Sequence, residues 1–401
     1  MAESHVTNLP AERLGDKLSR SASWFLGAGI LGVVLCAVSY FRNGTDFFVS
    51  YLTAFCFFLA ISLGALFFVM VQHLSRSAWS VTVRRTAETL AFNLLLLAIL
   101  FLPLLPGIHD LFRWTHEDVR ATDALIQAKA GYLNLPFFYI RAAFYFAVWS
   151  LLSWWFLRTS RLQDETSDPA LTTRMGKVST IGLILFGLTL TFFALDWIMS
   201  IDAHWYSTMF GVYYFAGSVV AFYCSLILLV TLLKRTGHLA KSVNTEHYHD
   251  MGKLLFGHNV FWTYIGFSQF MLIWYANIPE ETQFFLHRSA HGWKAVSYSL
   301  PWLHFAFPFL FLMSHNVKRR PLLLAAGCAV LLTMCYVDLY WLIQPNFHHA
   351  PTFGLSDIGA LLAIGGFYLF FFINNLRQAS LIPTGDPRLK DCLSYDNGLS
   401  E

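Results

Sequence analysis

The most chemically informative segment is 195–218, which reads LDWIMSIDAHWYSTMFGVYYFAGS and places Asp196, Asp202 and His204 among apolar and aromatic residues. Asp196 lies inside an otherwise apolar helix, where a charge is costly and is retained mainly for a function. Carboxyl and imidazole groups can transfer protons near neutral pH. The segment therefore predicts a site that handles protons at the junction of two apolar helices.

Depth along the predicted helices sorts the other polar residues into two layers. The outer layer is expected to contain Asp196, Asp202, His204, Arg141, Asp338, His304, Glu280 and Glu281. The cytoplasmic layer is expected to contain His73, Glu88, Asn93, His258, Asn259, His315 and Asn316. The residues expected to bridge the drier centre are Thr189, Tyr213, Tyr214, Ser218, Ser268 and Gln269. Two hydrated half-pockets arranged in this way would permit a proton relay.

The sequence is also compatible with purely structural roles for the same residues. Charged groups near helix ends often extend to the membrane interface, and aromatic residues beside them often form the interfacial belt. A buried pair of Arg141 with an aspartate would be tolerated because each charge compensates the other, and it would then fix helix packing. The segment 213–218 is small and aromatic enough to serve helix packing alone.

Haem and metal sites are weaker hypotheses. A haem held by two histidines needs them at matching depth on facing helices, whereas His73 and His315 lie near the inner surface and His304 lies further out. His247 and His249 point to different sides of a helix and no cysteine accompanies them. An ordinary solvated loop over 236–253 is therefore preferred to a metal site there.

The elements that must position these residues are apolar helices. Hydrophobic residues make up 56% of the 401 residues and charged residues only 13%. Ten apolar stretches are long enough to cross roughly 30 Å of hydrocarbon, and backbone groups in lipid must be paired within a helix. They cover 24–41, 48–74, 87–105, 135–157, 178–200, 208–233, 254–278, 296–315, 321–343 and 355–376. The sequence predicts an all-α, multi-pass protein of the lipid bilayer.

Orientation follows from the basic residues. Of the 27 Lys and Arg residues, 20 fall on the side that holds both termini. The positive-inside rule therefore predicts cytoplasmic termini, and it explains the basic loops without a nucleic-acid partner. The predicted organisation is a cytoplasmic segment 1–23 without a cleavable signal peptide, a membrane domain 24–376 and a cytoplasmic tail 377–401. The longest outer insertion, 106–134, is expected to carry a surface helix over 116–130 or an ordered loop.

Several motifs that would indicate other chemistry do not occur in the sequence. The six cysteines are scattered, with no CxxC or CxxCH, which argues against an iron–sulfur cluster or a covalently attached haem on this chain. There is no Walker loop and no GxGxxG, so nucleotide-driven transport is not expected.

Three motifs resemble one family of membrane proteins. They are ALDWIMSIDAHWYSTMFGVYYFAGS at 194–218, FSQFMLIWYANIPEET at 267–282 and SHNVKRR at 314–320. Together they resemble the NrfD-like, or polysulfide-reductase-like, membrane subunits of bacterial alternative complex III, a quinol:electron-acceptor oxidoreductase. The similarity extends over essentially all ten predicted helices and is greatest to the second of the two NrfD-like subunits.

The resemblance implies a fold, partners and a location. The fold would be two four-helix bundles plus a peripheral pair of helices. This chain itself would bind no redox cofactor, and a quinol could bind to it. The implied partners are a second NrfD-like subunit, an iron–sulfur subunit, multihaem cytochrome c subunits and small membrane anchors, in the bacterial cytoplasmic membrane. Haem c and iron–sulfur clusters would belong to those partners. The sister subunit would oxidise quinol, and this chain would contribute protonatable groups, with Asp196, Asp202, His204, His73 and Glu88 as the matching positions.

Three alternatives to that function remain. The chain could itself oxidise quinol in a lateral pocket lined by Asp196, His204, Arg141 and Tyr213. It could be a secondary transporter, although no pair of spans interrupted by Gly or Pro marks a midplane site, and Pro308 and Gly266 are expected to be ordinary. It could also be a scaffold whose charges are purely structural.

Overall fold

The computed structural model describes residues 13–396, so residues 1–12 and 397–401 of the predicted terminal segments lie outside it. The described part contains helices and connecting turns and no β-strand. The α-helices are α1 Asp16–Arg42, α2 Gly44–Leu74, α3 Val81–Phe92, α4 Leu94–Leu100, α5 Ile108–Leu111, α6 Glu117–Thr122, α7 Ala124–Lys129, α8 Leu135–Thr166, α9 Pro169–Trp197, α10 Phe210–Arg235, α11 Thr245–Ala276, α12 Pro279–His287, α13 Trp293–Ser299, α14 Phe307–Met313, α15 His315–Arg319, α16 Pro321–Ile343, α17 Leu355–Leu376 and α18 Leu389–Leu393.

Eight of the helical stretches in this part of the chain are long and apolar enough to cross a membrane, and a ninth is a bent pair. They correspond to nine of the ten predicted spans. The remaining predicted span, 254–278, lies in α11, which has 32 residues but begins with the polar residues Glu246, His247, His249 and Asp250. The architecture fits a multi-pass membrane protein.

Helix α2 lies at the centre of the packing. Its sequence is apolar on all sides, and from Phe48 to Leu66 every residue except Phe58 is buried, as expected of a helix enclosed by others. It contacts α3, α9, α10, α16 and α17. Close approach to α10 requires a glycine, because a Cβ on Gly64 would lie 2.4 Å from the carbonyl oxygen of Ser218.

The remaining contacts divide the helices into three groups. Helices α3, α4, α8 and α9 pack with α2, whereas α11 and α16 pack against α10, and α13 and α14 join that second group through α16. Helices α1 and α17 form a tight pair, since a Cβ on Gly32 would lie 2.1 Å from the backbone nitrogen of Ala363. We call the end of the molecule that carries residues 102–134 the loop face, and the opposite end, which carries residues 377–396, the tail face.

Two spans are not continuous α-helices, which corrects the prediction of uninterrupted spans. The third span bends by 45° between Val81–Leu100 and Leu102–Leu111, where Pro103 and Pro106 cannot donate backbone hydrogen bonds. The eighth span contains a π-helical segment, Leu300–Ala306, between α13 and α14. Pro308 was expected to be ordinary, but it lies two residues after this segment and lacks the N–H group that an α-helix would direct at the carbonyl of His304.

Two connecting segments differ in detail from the predictions. The expected helix over 116–130 is divided into α6 and α7 at Asp123, whose extended backbone ends the first helix and whose side chain caps the second by accepting from Leu125 and Ile126. The expected loop 236–253 ends at Asn244, where the Asn244 and His247 side chains form a capping box that starts α11.

Candidate functional site

The central polar group of the structure is the carboxyl of Asp338 on α16. The hydroxyl of Tyr213, on α10, donates to Oδ1 of Asp338 over 2.5 Å, and both residues are buried, with 4% and 6% exposure. Among the residues that the structure describes, no Lys, Arg or His nitrogen forms an ion pair with Asp338. A buried carboxyl without a cation depends on hydrogen bonds, or on its own proton, for stability.

Aromatic rings connect Asp338 to His304. The ring of Trp262, on α11, lies 5.6 Å from that of Tyr213 and stacks on the imidazole of His304 at 3.7 Å. His304 Nε2 lies 3.7 Å from the thiol of Cys335, which is one turn from Asp338 on α16. We call Tyr213, Trp262, His304, Cys335 and Asp338 the central site.

The π-helical segment explains how His304 reaches this position. A π turn rotates the following side chains relative to an α-helix, and such turns recur at functional sites. The carbonyl of His304, which lacks a donor from Pro308, accepts instead from the side-chain amide of Asn259 on α11 over 3.0 Å. The break in the eighth span is therefore stabilised by a specific hydrogen bond from its neighbour.

Space and an unused polar atom indicate that water belongs to the central site. A cavity of about 10 Å³ is lined by residues that include Tyr213, Ser218, Cys335 and Asp338, which is about the size for one water molecule. Nδ1 of His304 is buried and has no hydrogen-bond partner among the residues that the structure describes. Buried polar atoms of this kind are usually satisfied by ordered water.

Asp196 lies in a different environment, in a fully paired cluster with Arg141. Arg141 donates from Nε and Nη2 to the two carboxylate oxygens at 2.8 and 2.9 Å, and Tyr145 donates to Oδ2 at 2.8 Å. The third guanidinium nitrogen donates to the carbonyl of Tyr132, whose ring lies 3.9 Å from the guanidinium carbon. A bidentate pair in which each guanidinium nitrogen donates a hydrogen bond fixes both side chains and holds α8 to α9. The prediction that Arg141 and Asp196 share one depth agrees with this contact, and the contact favours the structural reading of the pair.

A broad vestibule of about 830 Å³ opens on the loop face. His204 Nε2 lies 2.5 Å from Oδ2 of Asp123 at its edge. The hydrogen bond from His204 lowers the pKa of Asp123 below its ordinary value. The vestibule is lined in part by Asp202, Glu280, His204, His287, His291, His348 and His349. Within residues 13–396, no three His, Cys, Asp or Glu side chains are arranged to hold a metal ion.

Arg288 is a functional candidate that the sequence reasoning missed. Its guanidinium donates to the carbonyls of Phe284, Trp341 and Leu342 at 3.0, 3.1 and 2.7 Å, and it is buried. Burial lowers the pKa of Arg288 to about 9, and the nearby carboxylate of Asp202 opposes that effect. Leu342, whose carbonyl accepts from Arg288, lines the cavity beside Asp338, and His287, next to Arg288 in the chain, lines the vestibule, so Arg288 lies between the two. The sequence feature that could have identified Arg288 is that it is one of few basic residues on the predicted outer side.

A second charged group lies near the tail face. Glu88 on α3 accepts from Nε of Arg84 at 3.3 Å and lies 3.1 Å from Nε of Arg85. These two arginines also contact Asp386 and Asp164, at 2.5 and 2.7 Å. We call Arg84, Arg85, Glu88, Asp164, Asp386 and Arg388 the inner cluster.

The other predicted inner-layer residues do not all join this cluster. His73 is buried and stacks on Phe156 at 5.7 Å, and neither of its ring nitrogens has a hydrogen-bond partner in the described part of the chain. The charges of Arg84 and Arg388 act on it. His258 bonds the carbonyl of Leu254. His315 lies apart from the cluster, on the tail face.

The lateral quinone pocket that one alternative requires is not assembled. His204 lines the vestibule, Tyr213 lines the small central cavity, and Asp196 and Arg141 line neither. Gln269, expected to bridge the membrane centre, instead donates to Ser207 at the loop-face end of α10 over 2.9 Å. Sequence depth placed these residues in one layer, but it did not determine which helix faces meet.

No known family model and no curated protein matches the sequence.

Proposed function

We propose that this chain is an NrfD-like membrane subunit of a quinol-oxidising respiratory complex, of the ActF type found in alternative complex III, and that it supplies protonatable groups across the bilayer. The redox cofactors would belong to its partners: an iron–sulfur subunit and multihaem cytochrome c subunits, with a second NrfD-like subunit as the site of quinol oxidation. Small membrane anchors complete the proposed assembly in the bacterial cytoplasmic membrane.

One observation carries the proton-handling role. Asp338 is a buried carboxyl that is paired with the hydroxyl of Tyr213 and with no cation among the described residues. Such a group can be protonated or deprotonated without breaking an ion pair, unlike Asp196, which is held by Arg141. Asp338 therefore replaces Asp196 as the central candidate for proton transfer.

Polar groups on either side extend this site toward both faces. On the loop face, Arg288 lies between the cavity beside Asp338 and the vestibule, which Asp202 helps to line. On the tail face, Glu88 is buried within the inner cluster, and His73 is also buried. The apolar residues between these groups would form the dry barrier that a coupled proton path requires.

The packing of the helices supports the same family. Helices α2, α3–α4, α8 and α9 correspond to one proposed bundle, α10, α11, α13–α14 and α16 to the other, and α1 and α17 to the peripheral pair. With α11 counted as a span, the chain would cross the membrane ten times. The distribution of basic residues supports placing the tail face in the cytoplasm.

Specific observations bear on two alternative functions, quinol oxidation by this chain and secondary transport. Quinol oxidation by this chain would need a pocket for a quinone ring, and the cavity beside Asp338 has room for about one water. A secondary transporter is favoured by the bent third span and by the π-helical segment in the eighth, since discontinuous helices form the binding sites of many transporters.

Purification of the tagged chain in mild detergent tests the assembly. We expect c-type haem bands and quinol:acceptor oxidoreductase activity to co-purify with it. A homogeneous chain that carries neither haem-containing partners nor oxidoreductase activity, and that transports a solute in vesicles, would contradict the proposal. Within the complex, Asp338→Asn is expected to reduce proton release while quinol oxidation continues.

A further inference from the structure

The residues that follow α17 fold back over the tail face. Residues 377–396, which we call the strap, were predicted to be a polar extension, yet Leu381, Ile382 and Cys392 are almost completely buried. Polar composition suggested solvent exposure, but the polar side chains of this segment bind to partners on other helices.

The strap is attached to other helices near its middle and near its C-terminal end. Near its middle, Asp386 accepts from Nη2 of Arg84 at 2.5 Å and from Nη2 of Arg388 at 3.0 Å. Beyond α18, Tyr395 donates to Oδ2 of Asp250 over 2.5 Å, and its carbonyl accepts from the side chain of Asn244 over 2.8 Å. These contacts join the strap to α3 and to the start of α11.

A glycine and a cysteine show how closely the strap fits. A Cβ on Gly385 would lie 1.9 Å from the carbonyl oxygen of Gln163 on α8, so only glycine fits at this crossing. The thiol of Cys392 donates to the carbonyl of Trp79 over 3.0 Å and is inaccessible to solvent. The strap is thus packed as closely as a core element.

The strap covers the inner cluster. Arg84, Arg85 and Glu88 are at most 1% exposed, although they lie near the tail face. Within residues 13–396, no hydrogen-bond partner is found for the buried Nη1 atoms of Arg84, Arg85 and Arg388 or for either ring nitrogen of His73. Buried arginine N–H groups and imidazole nitrogens that lack hydrogen-bond partners are stabilised when water binds to them. Water is therefore expected to enter the inner cluster when the strap moves away.

We propose that the strap is a closure that keeps water away from Glu88 and His73, and that its release opens these groups to the aqueous tail side. The inference rests on the proposed function, in which those groups receive protons from that side. Asp386 is a positioning residue in this scheme, because it acts by holding Arg84 and the strap together.

Chemical access to Glu88 and Cys392 tests the closure in the intact complex. The probes are a membrane-impermeant maleimide, which labels thiols, and a water-soluble carbodiimide, which modifies carboxyls. Peptide mass spectrometry distinguishes Glu88 from other carboxyls and Cys392 from the five cysteines buried in the spans. Cys392→Ser identifies the labelled thiol.

Two variants should release the strap by different physical routes. Asp386→Asn removes the charge that neutralises Arg84, and Gly385→Ala forces the backbone away from α8 without changing charge. Asp391→Asn is the matched control, because Asp391 is an exposed acid in the same segment. Both release variants should raise the rates of Cys392 labelling and Glu88 modification by about tenfold or more, as for a locally unfolded segment, and the control should not.

The outcome separates the strap from the proposed function. Wild-type rates at both residues in Asp386→Asn and Gly385→Ala would overturn the closure, as would labelling of the wild-type protein as fast as that of the unfolded chain. If the rates rise while Asp338→Asn leaves proton release normal, the closure stands and the proposed proton role is wrong. If the rates do not rise while Asp338→Asn abolishes proton release, the proton role stands and the closure is wrong.

Discussion

The hydroxyl oxygen of Tyr213 lies 2.5 Å from Oδ1 of Asp338, and this hydrogen bond joins α10 to α16 in the interior of the helical domain. Arg141 and Asp196 make the contrasting contact, in which two hydrogen bonds neutralise a carboxylate completely. The two aspartates occupy similar depths in the sequence prediction but have different chemistry. Asp338 forms no ion pair among the described residues, whereas Asp196 is fixed by its cation.

Tyr213→Phe tests the hydrogen bond to Asp338 directly. The variant keeps the ring packed against Trp262 and removes only the donor, so the loss of stability should be about 1 kcal/mol. We expect proton release to fall in the purified complex while quinol oxidation continues. Tyr214→Phe is the control, because Tyr214 is equally buried but donates to the backbone carbonyl of Cys56. Equal effects of the two substitutions on proton release would contradict the assignment.

A double-mutant cycle tests the structural role of Arg141 and Asp196. Arg141→Gln leaves a buried carboxylate unpaired and should destabilise the protein by about 3–5 kcal/mol. Adding Asp196→Asn removes that charge, so the double variant should be more stable than Arg141→Gln alone. Thermal inactivation of the purified complex provides the ranking. Additive losses in the double variant would show that the two side chains do not act as a pair.

Arg288→Ala should destabilise the loop-face end of α16. The change leaves the carbonyls of Trp341 and Leu342 without their donor, and hydrogen bonds from charged groups contribute about 1.5–3 kcal/mol each. Arg288→Lys keeps the charge and should restore part of the stability. Equal thermal stability of Arg288→Ala and the wild-type protein would show that these carbonyls are satisfied in another way.

Closure of the strap should persist at mildly acidic pH. Burial alone would raise the pKa of Asp386, but the charges of Arg84 and Arg388 outweigh burial and hold the pKa below its ordinary value. A lowered carboxyl pKa stabilises the folded state above the ordinary pKa of about 4, and this stabilisation is lost as the pH falls toward the lowered value. Hydrogen exchange of amides 385–395, corrected for intrinsic rates, should show constant protection from about pH 8 to pH 5. Loss of protection between those values would mean that another group controls the strap.

Sequence reasoning identified the helices but not all of their contacts. Apolar length predicted where helices such as α2 and α16 lie, because hydrocarbon leaves the backbone few alternatives. It did not show that Asp338 would meet Tyr213 while Asp196 would meet Arg141, since this depends on how each helix is rotated. The π-helical turn at His304 was missed because a proline at position 308 does not by itself show which residues of the helix change their hydrogen bonding.

Polar segments were the least predictable part of the chain. The tail containing Asp386 resembles a solvated extension in composition, and only its contact with Arg84 shows that it is buried. Arg288 was likewise counted as an outer basic residue, although it is buried among backbone carbonyls. The composition of a segment predicts only how exposed its residues are on average. Whether one charged residue is buried depends on a partner that is distant in the sequence.

The most direct test of the proposed proton role is Asp338→Asn in the intact complex, with quinol oxidation and proton release measured separately in sealed vesicles. Asparagine keeps the size of the side chain and a hydrogen-bond acceptor for Tyr213 but cannot exchange a proton. Asp338→Glu, which retains a carboxyl, is the matched control. We expect Asp338→Asn to lower the number of protons released per quinol oxidised and Asp338→Glu to preserve part of it. Unchanged proton release and quinol oxidation in a correctly assembled Asp338→Asn complex would contradict the role assigned to this residue.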